Sequence, residues 1–113
     1  MTSPERLRQR ADFLACQHRG RSKGTPGFHL QALKRDDGDA TMRAGFTCSK
    51  KVGNAVARNR AKRRLREIAR LELPAYGQPG WDYVLIGRRE ATADHDFATM
   101  REDLRAALAE VHR

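Results

Sequence analysis

Apolar residues return along this chain in two rhythms, and the switches between them mark its elements. Phe28, Leu30 and Ala32 alternate with His29, Gln31 and Leu33, the period of a strand with one buried face. Met42, Ala44, Phe46 and Cys48 alternate in the same way with Arg43, Gly45, Thr47 and Ser49. Asp36-Asp37-Gly38-Asp39 supplies turn residues between the two sets, so they read as an antiparallel hairpin. Tyr83, Val84, Leu85 and Ile86 form a short, continuous apolar strand bounded by Gly87. Elsewhere the period lengthens. Leu7, Ala11 and Leu14 predict a helix over Arg6 to His18, ended by Gly20 and the Ser-, Gly- and Pro-rich loop from Arg21 to Gly27. Ala57, Ala61, Leu65 and Ile68 share one side of a second helix, at about 100° per residue. It runs from Asn54 or Ala55 to Leu73, where Pro74 stops it. Phe97, Met100, Leu104, Leu108 and Val111 stripe a last helix, with Thr92 or Asp94 as its cap. This order of elements predicts an α/β or α+β chain, a single-domain sandwich of helices on a small central sheet spanning residues 1–113.

Charge alters the picture of the second helix. Arg58, Arg60, Lys62, Arg63, Arg64 and Arg66 fall within nine residues, and Arg58, Lys62, Arg66 and Arg70 form a row beside the apolar side. Asn59 and Arg63 adjoin that row, and Glu67 is the only acid between Arg58 and Arg70. The i,i+4 ion pairs that relieve crowded helices are therefore mostly missing, whereas ordinary solvated faces mix signs. Residues Arg43 to Arg70 carry the whole formal excess of +9; the stretch before Gly27 is also basic and the remainder mildly acidic. A polyanionic partner is expected on one helix face.

Composition limits the alternatives. Leu, Ile, Val and Phe make up only 20 of 113 residues, under the roughly 20% at which a highly charged chain folds poorly alone. Anion binding to the native state is expected to add stability by linkage. Cys16 and Cys48 are isolated, and His18, His29, His95 and His112 are scattered, so reduced thiols and no metal site are expected. With no long apolar run and no signal-peptide core near Met1, the chain is expected to be cytoplasmic, without a membrane partner.

The stretch FTCSKKVGNAVARNRAKRRLRE, Phe46 to Glu67, resembles the signature region of the protein subunit of bacterial ribonuclease P. The resemblance extends over essentially the whole chain. It takes in a helix carrying Asp12-Phe13, a hairpin, the block from Ser49 to Arg66, a strand like Asp82 to Arg88 and a final amphipathic helix. It implies a fold like domain 2 of ribosomal protein S5, with a left-handed β-α-β crossover. It also implies one catalytic RNA subunit per protein and precursor tRNA as substrate. Protein and RNA together would hydrolyse the bond joining the 5′ leader to the mature tRNA end, with the RNA and its magnesium carrying the chemistry and the protein alone binding no cofactor.

On this resemblance Lys50, Lys51, Asn54, Arg58, Asn59, Arg60, Lys62, Arg63 and Arg66 face RNA, where arginine suits bidentate phosphate binding. An extended leader would lie between the first helix and the sheet, its bases stacked on aromatic rings. Phe13 matches the first such position, with Phe28 and Phe46 on nearby strands, although all three also suit packing. Gln17 and Gln31 stand where many members carry aromatics, so amide hydrogen bonds would partly replace stacking. A ribosomal or other structural RNA-binding protein would account for the basic helix and thin core but not for the detailed block. An autonomous nuclease would need convergent acids, and Asp36, Asp37 and Asp39 are already accounted for by a turn.

Overall fold

Tyr83-Val84-Leu85-Ile86 has apolar side chains on both of its faces because it becomes the middle of the sheet, covered above and below. The computed structural model describes residues 4–113. The segment at Met1, read as lacking a signal-peptide core, thus begins outside the described residues. The elements are β1 (Glu5–Arg6), α1 (Arg10–Arg19), β2 (Arg21–Gly24), β3 (Phe28–Lys34), β4 (Arg43–Thr47), α2 (Ala55–Tyr76), β5 (Trp81–Gly87), α3 (Ala91–Asp94) and α4 (Phe97–Val111), with a 3-10 turn at Lys50–Val52. The sheet order is β1-β4-β5-β3-β2. The strands β4 and β5 are parallel and joined by α2, β3 runs antiparallel to β5, and β1 lies parallel to β4. The result is a single α+β domain. Helices α2 and α4 cover one face of the sheet and α1 the other.

The expected hairpin between β3 and β4 does not form, because β5 lies between them, pairing Leu30 with Leu85 on one side and Phe46 with Leu85 on the other. Alternation correctly assigns the faces of both strands but carries nothing about their neighbours. The connection from Arg35 to Met42 is also longer than the usual hairpin loop of about 2–5 residues, and it steps across the end of β5. The hairpin that does form joins β2 to β3. Its first strand, Arg21–Gly24, is exposed throughout. Polar residues and glycine there suggested a loop, and only backbone pairing makes it a strand. Thr25 closes the turn, its hydroxyl accepting from the Phe28 amide at 3.1 Å.

Three helix boundaries also differ from expectation. Leu7 is buried before α1 begins, held by β1, as its amide donates to the Ala44 carbonyl at 2.9 Å. The helix therefore packs through Phe13 and Cys16 while Ala11 and Leu14 face solvent. Pro74 lies inside the last turn of α2, where loss of a single amide donor is tolerated. On α4 the cap is Asp96, whose carboxylate accepts from the Thr99 amide at 3.0 Å and hydroxyl at 2.8 Å. Thr92 instead is buried in α3, donating to the Gly27 carbonyl at 2.6 Å and accepting from the Arg88 amide at 2.7 Å.

The core is larger than the count of big aliphatics suggests. Ala32, Ala44, Ala61, Ala69 and Ala107 are all buried, as are Met42, Met100 and Tyr83. Small side chains let α2 and α4 approach the sheet closely, so interior is made with little volume per residue. Tyr83 satisfies its hydroxyl by accepting from the Gln78 amide at 2.8 Å and bonding His112 Nε2 at 2.7 Å.

One charge is buried at the end of the sheet. Asp82 is 1% exposed and accepts from Arg43 Nε at 2.7 Å, Arg43 Nη2 at 2.6 Å and Arg35 Nη1 at 2.8 Å. Arg35 also donates to the Asp39 and Thr41 carbonyls at 2.9 and 2.6 Å, and Arg43 reaches Asp12 of α1 at 3.4 Å. The Asp82 hydrogen bonds are the main influence raising Arg43 above the usual arginine range. Asp82→Asn removes the charge but keeps the shape, leaving two partly buried guanidiniums with only their more exposed partners Asp37 and Asp12. It is expected to cost about 3 kcal/mol of unfolding free energy, measured by urea denaturation; a loss below about 1 kcal/mol would mean that solvent already screens the cluster.

Candidate nucleic-acid interface

The start of α2 is built by three residues of the conspicuous block. Ser49 accepts from the Lys51 amide at 3.3 Å and opens the 3-10 turn. Gly53 has φ of 142°, and a Cβ there would lie 2.9 Å from that of Ala57, so both conformation and space call for glycine. Asn54 caps the helix, its Oδ1 accepting from the Ala57 amide at 2.9 Å. Its side-chain oxygen is thus engaged in setting the helix direction, a structural task that its place among the expected RNA contacts did not anticipate. Together these residues aim a helix whose first turn contains no acid.

Packing divides the cations of α2 and its surroundings into two groups. Ala61, Leu65, Ile68, Ala69 and Leu73 are buried against the sheet and α4. Arg64, beside them, turns inward, donating to the Ala93 carbonyl at 2.6 Å and to the His95 carbonyl, with its guanidinium 5.6 Å from the Phe97 ring centre. Arg43 is neutralised by Asp82, and Arg70 by Glu67. Lys50, Lys51, Asn59, Arg60, Arg63 and Arg66 are exposed, and Arg58 and Lys62 half-buried. Among the described residues no carboxylate lies within 4.0 Å of the seven cations in this second group. By side-chain hydrogen bonds among the described residues only Arg58 is tethered, donating to the Gly53 carbonyl at 3.3 Å. From Arg58 to Arg66 the helix rises about 12 Å, which makes a fixed line of positive charge along one side of the molecule.

The other expected surface lies on the opposite face of the sheet. Phe13 is half-buried over Gly45, where an added Cβ would stand 2.5 Å from its ring. The missing side chain leaves room for the ring to pack against β4, with part of it open to solvent. Gln17 is exposed one turn further along α1, and Gln31 is half-buried on the same sheet face as Leu33. Arg8, Arg10 and Thr47 line a shallow depression with Phe13; the basic composition before Gly27 was the sequence signal for these arginines. Two of the expected aromatics do not join them. Phe28 is fully buried in the core beneath α2 and α4, so neither face of its ring is open to a base. Phe46 projects to the α2 side of β4, next to Ala69 and Arg66. The alternation that puts Gly45 beneath Phe13 necessarily turns residue 46 away.

Cys16 and Cys48 are free thiols. Burial, with Asp82 and Asp12 adding to it, pushes the Cys16 thiol up to about 12, and burial also raises Cys48. Neither is poised as a nucleophile. A rigid row of unpaired cations on one side and a half-open aromatic with nearby arginines on the other define a nucleic-acid-binding protein of the α+β class.

A family model described as Ribonuclease P matches residues 1–112. The chain is 61% identical over 107 residues to the ribonuclease P protein component of Ruegeria pomeroyi, covering 94% of this chain and 85% of that one. It is 49% identical over 105 residues to that of Caulobacter vibrioides, covering 92% and 68%. Among solved structures it resembles the RNase P protein of Staphylococcus aureus (TM-score 0.74, 29% identity, 96% and 97% covered). That of Thermotoga maritima is equally similar (TM-score 0.73, 34% identity, 95% and 94% covered). The chain belongs to the ribonuclease P protein family, the protein component of a tRNA-processing endoribonuclease.

Gly45 and Phe13 form a testable pair. Gly45→Ala is expected to destabilise by about 1–3 kcal/mol through overpacking, and Phe13→Leu, which removes the ring atoms that clash, should restore part of that loss in the double variant. Additive losses in thermal melts would mean that the ring does not rest on Gly45.

Proposed function

We propose that this protein holds the catalytic RNA subunit of ribonuclease P along the solvent-facing side of α2 and guides the 5′ leader of precursor tRNA across the α1 face of the sheet. The observation that carries the reading is the line of cations with no internal acid. Arg58, Arg60, Lys62, Arg63 and Arg66 are held by a helix that is itself anchored in the core, and Lys50 and Lys51 by the 3-10 turn before it, so RNA phosphates meet an arrangement already ordered before binding. Asn59 stands among them as a hydrogen-bonding group for RNA backbone or sugar. Binding at this line releases counterions, which gives sequence-independent, salt-sensitive affinity.

On the opposite face, Phe13 offers a ring for stacking, with Gln17 and Gln31 as amide partners and Arg8 and Arg10 for leader phosphates. The reaction is endonucleolytic removal of the leader to give the mature tRNA 5′ end. In this reading the RNA and its magnesium perform hydrolysis, and the protein supplies grip and position in a complex of one protein and one RNA in the cytoplasm. Its residues suit that division. Cations dominate the proposed RNA face, and the acids Asp12, Asp82 and Glu72 are each engaged with arginines.

Replacing both Arg60 and Arg63 by Ala is expected to weaken binding to a family catalytic RNA and to flatten the plot of log K against log salt by about 0.7–0.9 per lost phosphate contact. An unchanged slope, measured by filter binding across salt concentrations, would remove these residues from the interface. Phe13→Ala should cost about 1–3 kcal/mol of affinity for leader-bearing precursor tRNA and leave leaderless tRNA nearly unaffected. Equal losses for the two substrates would assign Phe13 to stability alone.

A further inference from the structure

The side of β4 that faces α2 carries a hollow that only Arg66 of the proposed RNA contacts borders. Strand β1 pairs only with Arg43 and Ala44, and after Leu7 the chain leaves for α1. Beyond Ala44 the outer edge of β4 therefore has no neighbouring strand among the described residues, and its next inward residue on this face, Phe46, remains half-buried. Across the gap α2 presents Ala69, which is buried but too small to fill it. The resulting cavity of about 260 Å³ is walled by Ala44, Phe46 and Ala69, and Arg6, Arg66 and Arg70 also line it, against the single acid Glu5.

These walls and this rim make contradictory demands on most ligands. A purely apolar occupant makes no use of Arg6 and Arg66 at the rim, and a simple anion leaves the apolar floor uncovered. A flat, apolar group carrying a phosphate satisfies both, since an aromatic ring stacks on a base and arginine binds phosphate bidentately. The volume lies just below the range of about 300–1,000 Å³ typical of larger ligand pockets, and so suits one ring system. Arg66 also continues the row of Arg58 and Lys62, so a strand following that row passes the mouth of the cavity.

We infer that this cavity receives one unpaired nucleobase of the bound RNA, stacked against Phe46, with the adjoining phosphate held by Arg66 and Arg6. Arg70 joins them when its exposed pair with Glu67 opens. This deepens the reading of α2 as an RNA interface and rests on it. The pocket would add a contact to a base to the sequence-blind contacts made along the row.

Adenosine 5′-monophosphate serves as the probe, titrated into the full chain labelled with nitrogen-15, with adenosine and inorganic phosphate titrated separately. Saturable shifts at the Ala44, Phe46 and Ala69 amides are expected with the nucleotide, at a dissociation constant about tenfold below that of either fragment. Phe46→Leu should weaken nucleotide binding about tenfold, as expected for loss of stacking, and Arg66→Gln, at an exposed position, should do so if the first variant does not fold. Identical shifts from inorganic phosphate, or none at Ala44 and Ala69, would overturn the pocket, as would contacts from residues 1–3 to the Phe46 ring that the nucleotide does not displace. The Arg60 and Arg63 salt series tests the helix interface separately: nucleotide binding here with an unchanged salt slope keeps the pocket and loses the wider reading, and the reverse loses the pocket alone.

Discussion

A carboxylate with almost no access to water sets the geometry of this molecule. Asp82 stands at the start of the central strand, and burying its charge is tolerable only because Arg43 and Arg35 bring donors to both oxygens. Those arginines come from the start of β4 and the end of β3, so satisfying one anion fixes both neighbours of β5. The long connection between them is pinned through Arg35 to the carbonyls of Asp39 and Thr41. Arg43 extends the cluster to Asp12 and so to α1, whose next residue is Phe13. The arrangement that holds the sheet together also places the helix carrying the candidate stacking ring.

The same logic of satisfying charge sorts the basic residues. A dense run of arginines in sequence looks uniform, yet the fold uses Arg43 and Arg64 as internal connectors and leaves Arg60, Arg63 and Arg66 outside. The difference lies in helix phase. Arg64 adjoins Leu65 and Ile68 on the side that meets α3 and α4, so it finds carbonyls at a helix end; Arg60 and Arg63 point where no element packs. Like charges held close on a fixed helix repel, and that cost persists until an anion arrives. Anion binding should therefore stabilise the native state by linkage, even though buried alanines give the protein a fuller interior than its count of large aliphatics implies.

How much of this was legible in the sequence depends on whether a feature is local. Alternation separated Phe28, Leu30 and Ala32 from Gln31 and Leu33, and Ala44 and Phe46 from Gly45, as the structure does. Helical spacing placed Ala61, Leu65 and Ile68 on the buried side of α2. Strand neighbours were not legible, since nothing in β3 or β4 records that β5 will come between them. Arg21–Gly24 lacked a strand pattern because an exposed edge strand needs only its backbone. Within the site, the unpaired cations could be read from the lack of acids at helical spacing. The seat of Phe13 could not, because Gly45 reveals its purpose only when α1 is laid across it, and the burial of Phe28 depends on the docking of two helices distant in sequence.

Placing the cation row and the half-open ring on opposite faces of one sheet has an energetic consequence for the proposed function. On that proposal, contacts along α2 would be mainly to phosphates, so their strength would fall steeply as salt rises, while stacking on an aromatic ring depends far less on ionic strength. Among the described residues no ion pair joins the cation row of α2 to the arginines and Asp12 on the α1 face. Their free energies should thus be nearly additive, as for sites that have no common partner. If the proposal holds, RNA assembly and leader recognition can be tuned separately: substitutions along α2 would change how tightly the complex is held, and substitutions around Phe13 would change which substrate gains from it. Glutamines at positions 17 and 31 fit that proposed separation, because they would alter the proposed leader side without touching the helix proposed to grip the RNA.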